Sequence, residues 1–159
     1  MNFTNAQKLE MYKDMVYTRA MGEKIVEFIF GGRIAGAIHP SLGQEAVISG
    51  IMNAIKNCDD LEVYRVCTHR QQAILAWTLG LDTFLGELFT RENGRLGGVT
   101  GEYNMISLKD KLLPMNGILG ANLPTTTGYA WVLKNEGKKN AVVLSPIGDG
   151  ASNEGTVYE

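Results

Sequence analysis

The feature that most narrows the fold is the run NAVVLSPI at residues 140–147, which breaks off at Gly148-Asp149-Gly150. A short apolar, β-branched run bounded by glycines is a buried strand rather than a helix. A second such run, LEVYRVCT at 61–68, lies well upstream. Helix-period segments fill the space between the two and before the first. Strands that alternate with helices predict an α/β fold with a mainly parallel sheet and helices on both faces. No composition shift or linker separates two domains. The sequence therefore reads as one domain over 1–159, a helical region at 1–57 leading into an α/β core at 58–159.

The helices can be placed from their own signals. Thr4-x-x-Gln7 has the form of a capping box. Behind it an amphipathic helix extends to about Phe30, with Leu9, Tyr12, Val16 and Ala20 on one stripe, which is read as core or subunit interface. Gly31-Gly32 stops it. Further helices are predicted over 43–57, 71–79, 83–89 with Asp82 as cap, and 124–136. A short helix is expected to open near Ala151 or Ser152. Between them, RENGRLGGVTGEYN has no packing period and is a loop of functional length.

Composition excludes several classes. Net charge is −2, which argues against general nucleic-acid binding. No apolar run is long enough to span a bilayer, and no signal peptide is visible at the N-terminus. The two cysteines, Cys58 and Cys67, form no Cys-x-x-Cys pair, so free thiols in a reducing cytoplasm are expected. Grouped with His39 and His69 they fit no familiar zinc spacing. The 19 glycines cluster, which points to close approach of backbone to a ligand.

Chemistry concentrates at Gly148-Asp149-Gly150. Ligands of open parallel sheets gather at the carboxyl ends of strands. Asp149 would sit just past such an end, between two residues without side chains. One carboxylate there can hold a Mg²⁺ that also takes phosphate oxygens and water. An ordinary Asp-Gly turn is the competing reading. The stretch DGASNEG lacks the alternating ligands of an EF-hand.

Four segments in order, AGAIHPSLGQEAVISG, THRQQA, NGILGANLPTTTGYA and GDGASNEGTVYE, resemble the alpha subunit of thiamine-diphosphate-dependent 2-oxo acid dehydrogenases and acetoin dehydrogenases. The resemblance covers nearly the whole chain. It implies the thiamine-diphosphate-binding fold, with thiamine diphosphate and Mg²⁺ as cofactors. It implies decarboxylation of a 2-oxo acid, or cleavage of acetoin, with transfer of the acyl group to a lipoyl-bearing acyltransferase. A beta subunit would complete the site. Carried over position by position, Asp149 coordinates Mg²⁺, and Gly148, Gly150 and Ala151 lie along the diphosphate. Arg70 reaches the diphosphate, and Gly117 and Leu119 present backbone to the aminopyrimidine. His69 stands where the family has a tyrosine or histidine beside the cofactor, and His39 matches a histidine near the substrate channel. Without the resemblance, Arg70 reads as a surface ion pair, and His39 and His69 as turn and strand-end residues.

Three departures stand out. Gln72 occupies a position where family members commonly carry histidine. The histidine that commonly closes the glycine-rich loop is Asn104 or Ile106 here, depending on register. Neither Gln72 nor those two can exchange a proton near neutral pH. The asparagines that close the family's thiamine motif are absent, so the sequence is expected to be the N-terminal part of a longer subunit, with a natural split as the alternative. A ketol transfer like that of transketolase, and a non-catalytic relative, are the competing functions.

Overall fold

The computed structural model describes residues 3–36 and 38–159. Five α-helices and two strands follow in chain order: α1 Asn5–Phe30, α2 Glu45–Lys56, β1 Glu62–Arg65, α3 Gln72–Leu79, α4 Leu81–Leu88, α5 Asn122–Asn135 and β2 Ala141–Leu144. The strands pair in parallel, Glu62 opposite Ala141 through Arg65 opposite Leu144. The architecture is therefore α/β, with a parallel sheet that has two strands among the described residues. Residues 111–113 line the other edge of β1, where Arg65 N–H donates to the Lys111 carbonyl and Leu113 N–H to that of Arg65. No helix of the described residues is long and apolar enough to cross a membrane.

The capping box forms as expected: the Thr4 side chain accepts from Gln7 N–H, and the Gln7 side chain accepts from Thr4 N–H. Other expectations need correction. The stripe of Leu9, Tyr12 and Val16 is exposed, so it is not core. α1 instead buries Thr18, Met21, Gly22 and Ile25, because polar anchors from α2 choose the face. Ser49 Oγ donates to the Met11 carbonyl, Asn53 Nδ2 donates to Asp14, and Arg19 pairs with Glu45 at 2.7 Å. The strands are shorter than predicted, and β2 is only partly covered, with Val142 exposed. Asp82 is not a cap. Helix α4 starts two residues earlier than predicted, at Leu81, which leaves Asp82 in the first turn, where a carboxylate favours the positive helix end. Past Asp149 the chain makes two 3₁₀ turns, Ala151–Asn153 and Gly155–Val157, in place of an α-helix. Ser152 Oγ and Asn153 Nδ2 both donate to the Asp149 carbonyl and close a tight turn that competes with an α-helical ladder.

The core gathers Ile25, Ile48, Ile74, Leu75, Phe84, Met105, Leu112 and Leu113. Helix α3 is buried from Gln72 to Ala76 and forms its middle. Arg65 and Lys56 both lie over the Trp77 ring, at 5.4 and 5.7 Å from its centroid, which covers the ring where α3 meets the surface.

The Arg19–Glu45 contact makes stability depend on pH. The Arg19 hydrogen bond, helped by Gly43 N–H, holds the Glu45 carboxyl down at about 2 against an ordinary 4.5. A depressed carboxylate contributes stability that is present above its unfolded value and lost as pH falls through the folded one. Glu45→Gln is expected to unfold at lower urea concentration than wild type at neutral pH. The difference should shrink as pH falls from 4.5 and vanish near 2, as measured by urea melts at stepped pH.

Candidate functional site

The register of the two strands fixes the site. Because Arg65 pairs with Leu144, both strands end at the same edge, and the segments that follow them, with His69 and Arg70 on one and Gly148 and Asp149 on the other, line one cavity. This cavity between the strand ends has a volume of about 580 Å³. Its walls are residues 68–71 from the end of β1, 116–120 from the turn before α5, and 146–151 from the end of β2, with Gly43, Gln44 and Val47 closing one side. Of the residues singled out in the sequence, His69, Arg70, Gly117, Leu119, Gly148, Asp149, Gly150 and Ala151 all line it. His39 does not. Its ring packs edge-to-face on that of His69, with centroids 5.1 Å apart.

The two charges on this cavity are unengaged. Among the described residues neither Arg70 nor the Asp149 carboxylate takes part in an ion pair. The ion-pair reading of Arg70 is therefore not what the structure contains. The Asp149 carbonyl is used in the following turn, while its carboxylate accepts no hydrogen bond among the described residues. A Cβ added at Gly148 or Gly150 would meet no atom within 4 Å, so open space lies beside the backbone there. At Gly120 the opposite holds. Its φ is +81°, and a Cβ would come within 2.7 Å of Thr156 Oγ1. That close approach seats the 116–120 turn against the segment after Asp149. Asn116 and Asn122 brace the same turn: Asn122 Oδ1 accepts from Asn116 N–H, and Asn116 Oδ1 from Ile118 N–H.

Among the described residues no three of His, Cys, Asp and Glu gather as a metal cluster. This removes the zinc grouping of Cys58, Cys67, His39 and His69, and burial pushes the Cys67 thiol up to about 12. A single carboxylate beside open, anion-accepting space does suit an ion that keeps most of its shell as water and phosphate oxygen, as Mg²⁺ does.

Behind His69, His39 and Gln72 meet two residues that the sequence reading passed over, Glu102 and Tyr103. Tyr103 OH and His39 Nδ1 share a hydrogen bond of 2.7 Å. Glu102 is buried, and its Oε2 accepts from Gln72 Nε2 at 2.8 Å. Burial pushes the Glu102 carboxyl up to about 7, against the pull of the Gln72 and His39 N–H groups. Burial, then the charges of Arg70 and His39, lower the His69 value. Glu102 had no local signal, since its partners lie some thirty and sixty residues upstream. Gln72 was visible only as a departure from the family pattern.

The glycine-rich loop that delivers Glu102 and Tyr103 is hung on one side chain. Buried Glu87 accepts hydrogen bonds from the N–H groups of Leu96, Gly98 and Thr100 and from the Thr100 hydroxyl, at 2.7 to 3.1 Å. Burial alone would raise its pKa, but together these donors hold it below the ordinary range.

A profile of the family described as "Dehydrogenase E1 component" matches residues 12–159. The chain belongs to that family. Among its relatives, the mitochondrial pyruvate dehydrogenase E1 component subunit alpha of Chaetomium thermophilum is 35% identical over 157 residues, covering 98% of this chain and 36% of the relative. The Rhizobium meliloti pyruvate dehydrogenase E1 component subunit alpha is 34% identical, over 99% of this chain and 44% of its own length. The alpha subunit of the Bacillus subtilis acetoin:2,6-dichlorophenolindophenol oxidoreductase is 30% identical, over 100% and 46%. The chain thus spans somewhat under half the length of these relatives.

Gly98 reports on how tightly the loop of this E1-family chain is seated. Its φ is +76°, and a Cβ would fall 2.4 Å from the Thr90 carbonyl carbon and 2.5 Å from Arg91 N. Gly97, at +73°, has nothing within 4 Å. Gly98→Ala is expected to destabilise by roughly 2–4 kcal/mol, and Gly97→Ala by only about 1 kcal/mol. Urea denaturation of the two variants checks this.

Proposed function

We propose that this chain is part of the alpha subunit of a thiamine-diphosphate-dependent dehydrogenase component acting on a 2-oxo acid or acetoin, and that it adopts the thiamine-diphosphate-binding fold. The observation that carries the reading is a cavity between parallel strand ends whose lining includes a guanidinium and a carboxylate without an ion-pair partner among the described residues. Membership of the E1 component family and the names of the relatives support it.

Thiamine diphosphate, when bound, would supply the electron sink that lets a bond to the substrate carbonyl carbon break. The chain's own residues hold it. Asp149 would offer one carboxylate to Mg²⁺, an ion that commonly keeps water and phosphate oxygens in the rest of its shell. Arg70 offers a planar fork of donors to the diphosphate. The bare backbone at Gly148 and Gly150, followed by Ala151, lets the phosphates approach. Gly117 and Leu119 present main-chain groups to the aminopyrimidine. His69, half-buried and shifted towards its neutral form by burial and by Arg70, is suited to accept a proton near neutral pH. His39, backed by Tyr103, supports it from behind. The exposed apolar groups Ile118, Leu119 and Ile147 around the cavity suit a site completed by a beta subunit, with a lipoyl-bearing acyltransferase as acyl acceptor.

Titration calorimetry of the full-length protein, with its beta subunit, tests the reading. Thiamine diphosphate should bind only when Mg²⁺ is present. Asp149→Ala should weaken that binding by at least about 100-fold, and Arg70→Ala by roughly 10- to 100-fold, the loss of charge-assisted hydrogen bonds. Binding by wild type that ignores Mg²⁺, or that survives Asp149→Ala, refutes the assignment. No binding at all by wild type favours a non-catalytic relative.

A further inference from the structure

Gln72 stands where a histidine is common in the family, yet it does not face the cavity. Its carboxamide is the junction of three separate chain segments. Three acceptors lie within hydrogen-bond reach of Nε2, the His39 carbonyl at 2.5 Å, the His69 carbonyl at 2.9 Å and Glu102 Oε2 at 2.8 Å, and share its two N–H groups. Oε1 accepts from the Ser41 hydroxyl. The amide orientation is dictated by these partners, because the reverse would set its oxygen against two backbone carbonyls. The two carbonyls belong to the two histidines of the chain. The Glu102 backbone carries Tyr103, whose hydroxyl meets His39. Gln72, Ser41 and Glu102 are each 2% exposed or less, so a missing partner could not be replaced by water without cost.

We infer that Gln72 and Glu102 are positioning residues: their buried amide–carboxyl pair fastens the loop that bears Tyr103 to the segments that bear His39 and His69, and so fixes the two imidazoles against each other, His69 on the cavity wall and His39 behind it. A histidine at position 72 could not do this, because its ring nitrogens diverge and cannot both donate to two adjacent carbonyls and accept from Ser41. The departure from the family pattern therefore exchanges a titratable ring for a fixed junction. The neighbouring Glu102 becomes the group there that titrates, with a value near 7. His39, His69, Tyr103 and Arg70 are the other titratable or charged groups facing this junction. The inference builds on the cofactor reading of the cavity only in giving the histidines a task.

The test reads the histidines directly. Full-length wild type and variants are treated with diethyl pyrocarbonate without cofactor, and the modification rates of His39 and His69 are resolved by peptide mass spectrometry. Gln72→Glu has the same shape but faces two carbonyls with an acceptor. It should speed modification of both histidines on the order of tenfold, the factor for one buried hydrogen bond lost. Glu102→Leu should do the same, whereas Glu102→Gln, which keeps an acceptor for Gln72, should stay near wild type. The double variant Gln72→Glu/Glu102→Gln restores a pair but not the two carbonyl contacts, and should remain fast. Wild-type rates in Gln72→Glu and Glu102→Leu overturn the inference, as does recovery in the double variant. Should Gln72→Glu fail to fold, the contrast between Glu102→Leu and Glu102→Gln decides alone. Absence of thiamine-diphosphate binding by wild type would defeat the cofactor reading while leaving these rates to judge the junction.

Discussion

The parallel register of β1 and β2 is the constraint from which the rest follows. Two parallel neighbours cannot be joined by a tight turn, so the chain must leave the end of β1 and return to the start of β2 by a crossover. Here the crossover holds α3, α4, the glycine-rich loop and α5. Because both strands point the same way, both release their next residues at one edge of the sheet. Whatever follows Arg65 and Leu144 is brought together there. A slip of one residue would flip alternate side chains and separate Arg70 from Asp149. The cavity is thus a product of strand pairing first and of its lining residues second.

A second layer holds the loops that the strands cannot. Two of them rely on a buried polar side chain that answers several main-chain groups at once, Glu87 for residues 96–100 and Gln72 for the segments at His39 and His69, while the more exposed Asn116 and Asn122 brace the turn before α5 with one main-chain bond each. Buried donors and acceptors left unmade are costly, so such junctions specify one loop conformation more sharply than apolar contact does.

Much of this was legible in the sequence. The strands, the helices and Gly148-Asp149-Gly150 rest on local signals, apolar runs, glycine pairs and an acidic residue at a strand end, whereas His69, Arg70, Gly117 and Leu119 were singled out only through the family resemblance. What escaped depends on distant partners. The stripe of Leu9, Tyr12 and Val16 has a plausible period, but anchors on α2 turned α1 to another face. Ser152 and Asn153 look like helix-start residues, yet their side chains fold back onto Asp149 and give 3₁₀ turns. Glu102 is one acidic residue in a loop until the fold brings it to Gln72. Periodicity cannot report a contact between residues thirty positions apart.

The Glu87 arrangement bears on how this loop can vary among descendants of one ancestor. Its main-chain donors come from alternate positions, Leu96, Gly98 and Thr100, so the spacing itself is what the carboxylate recognises. Inserting or deleting one residue between them would turn the wrong amides inward. Length changes should therefore accumulate on either side of this short tract and spare its interior, while the exposed side chain at Val99, which takes no part in the grip, is free to drift and position 97 stays glycine for its positive φ.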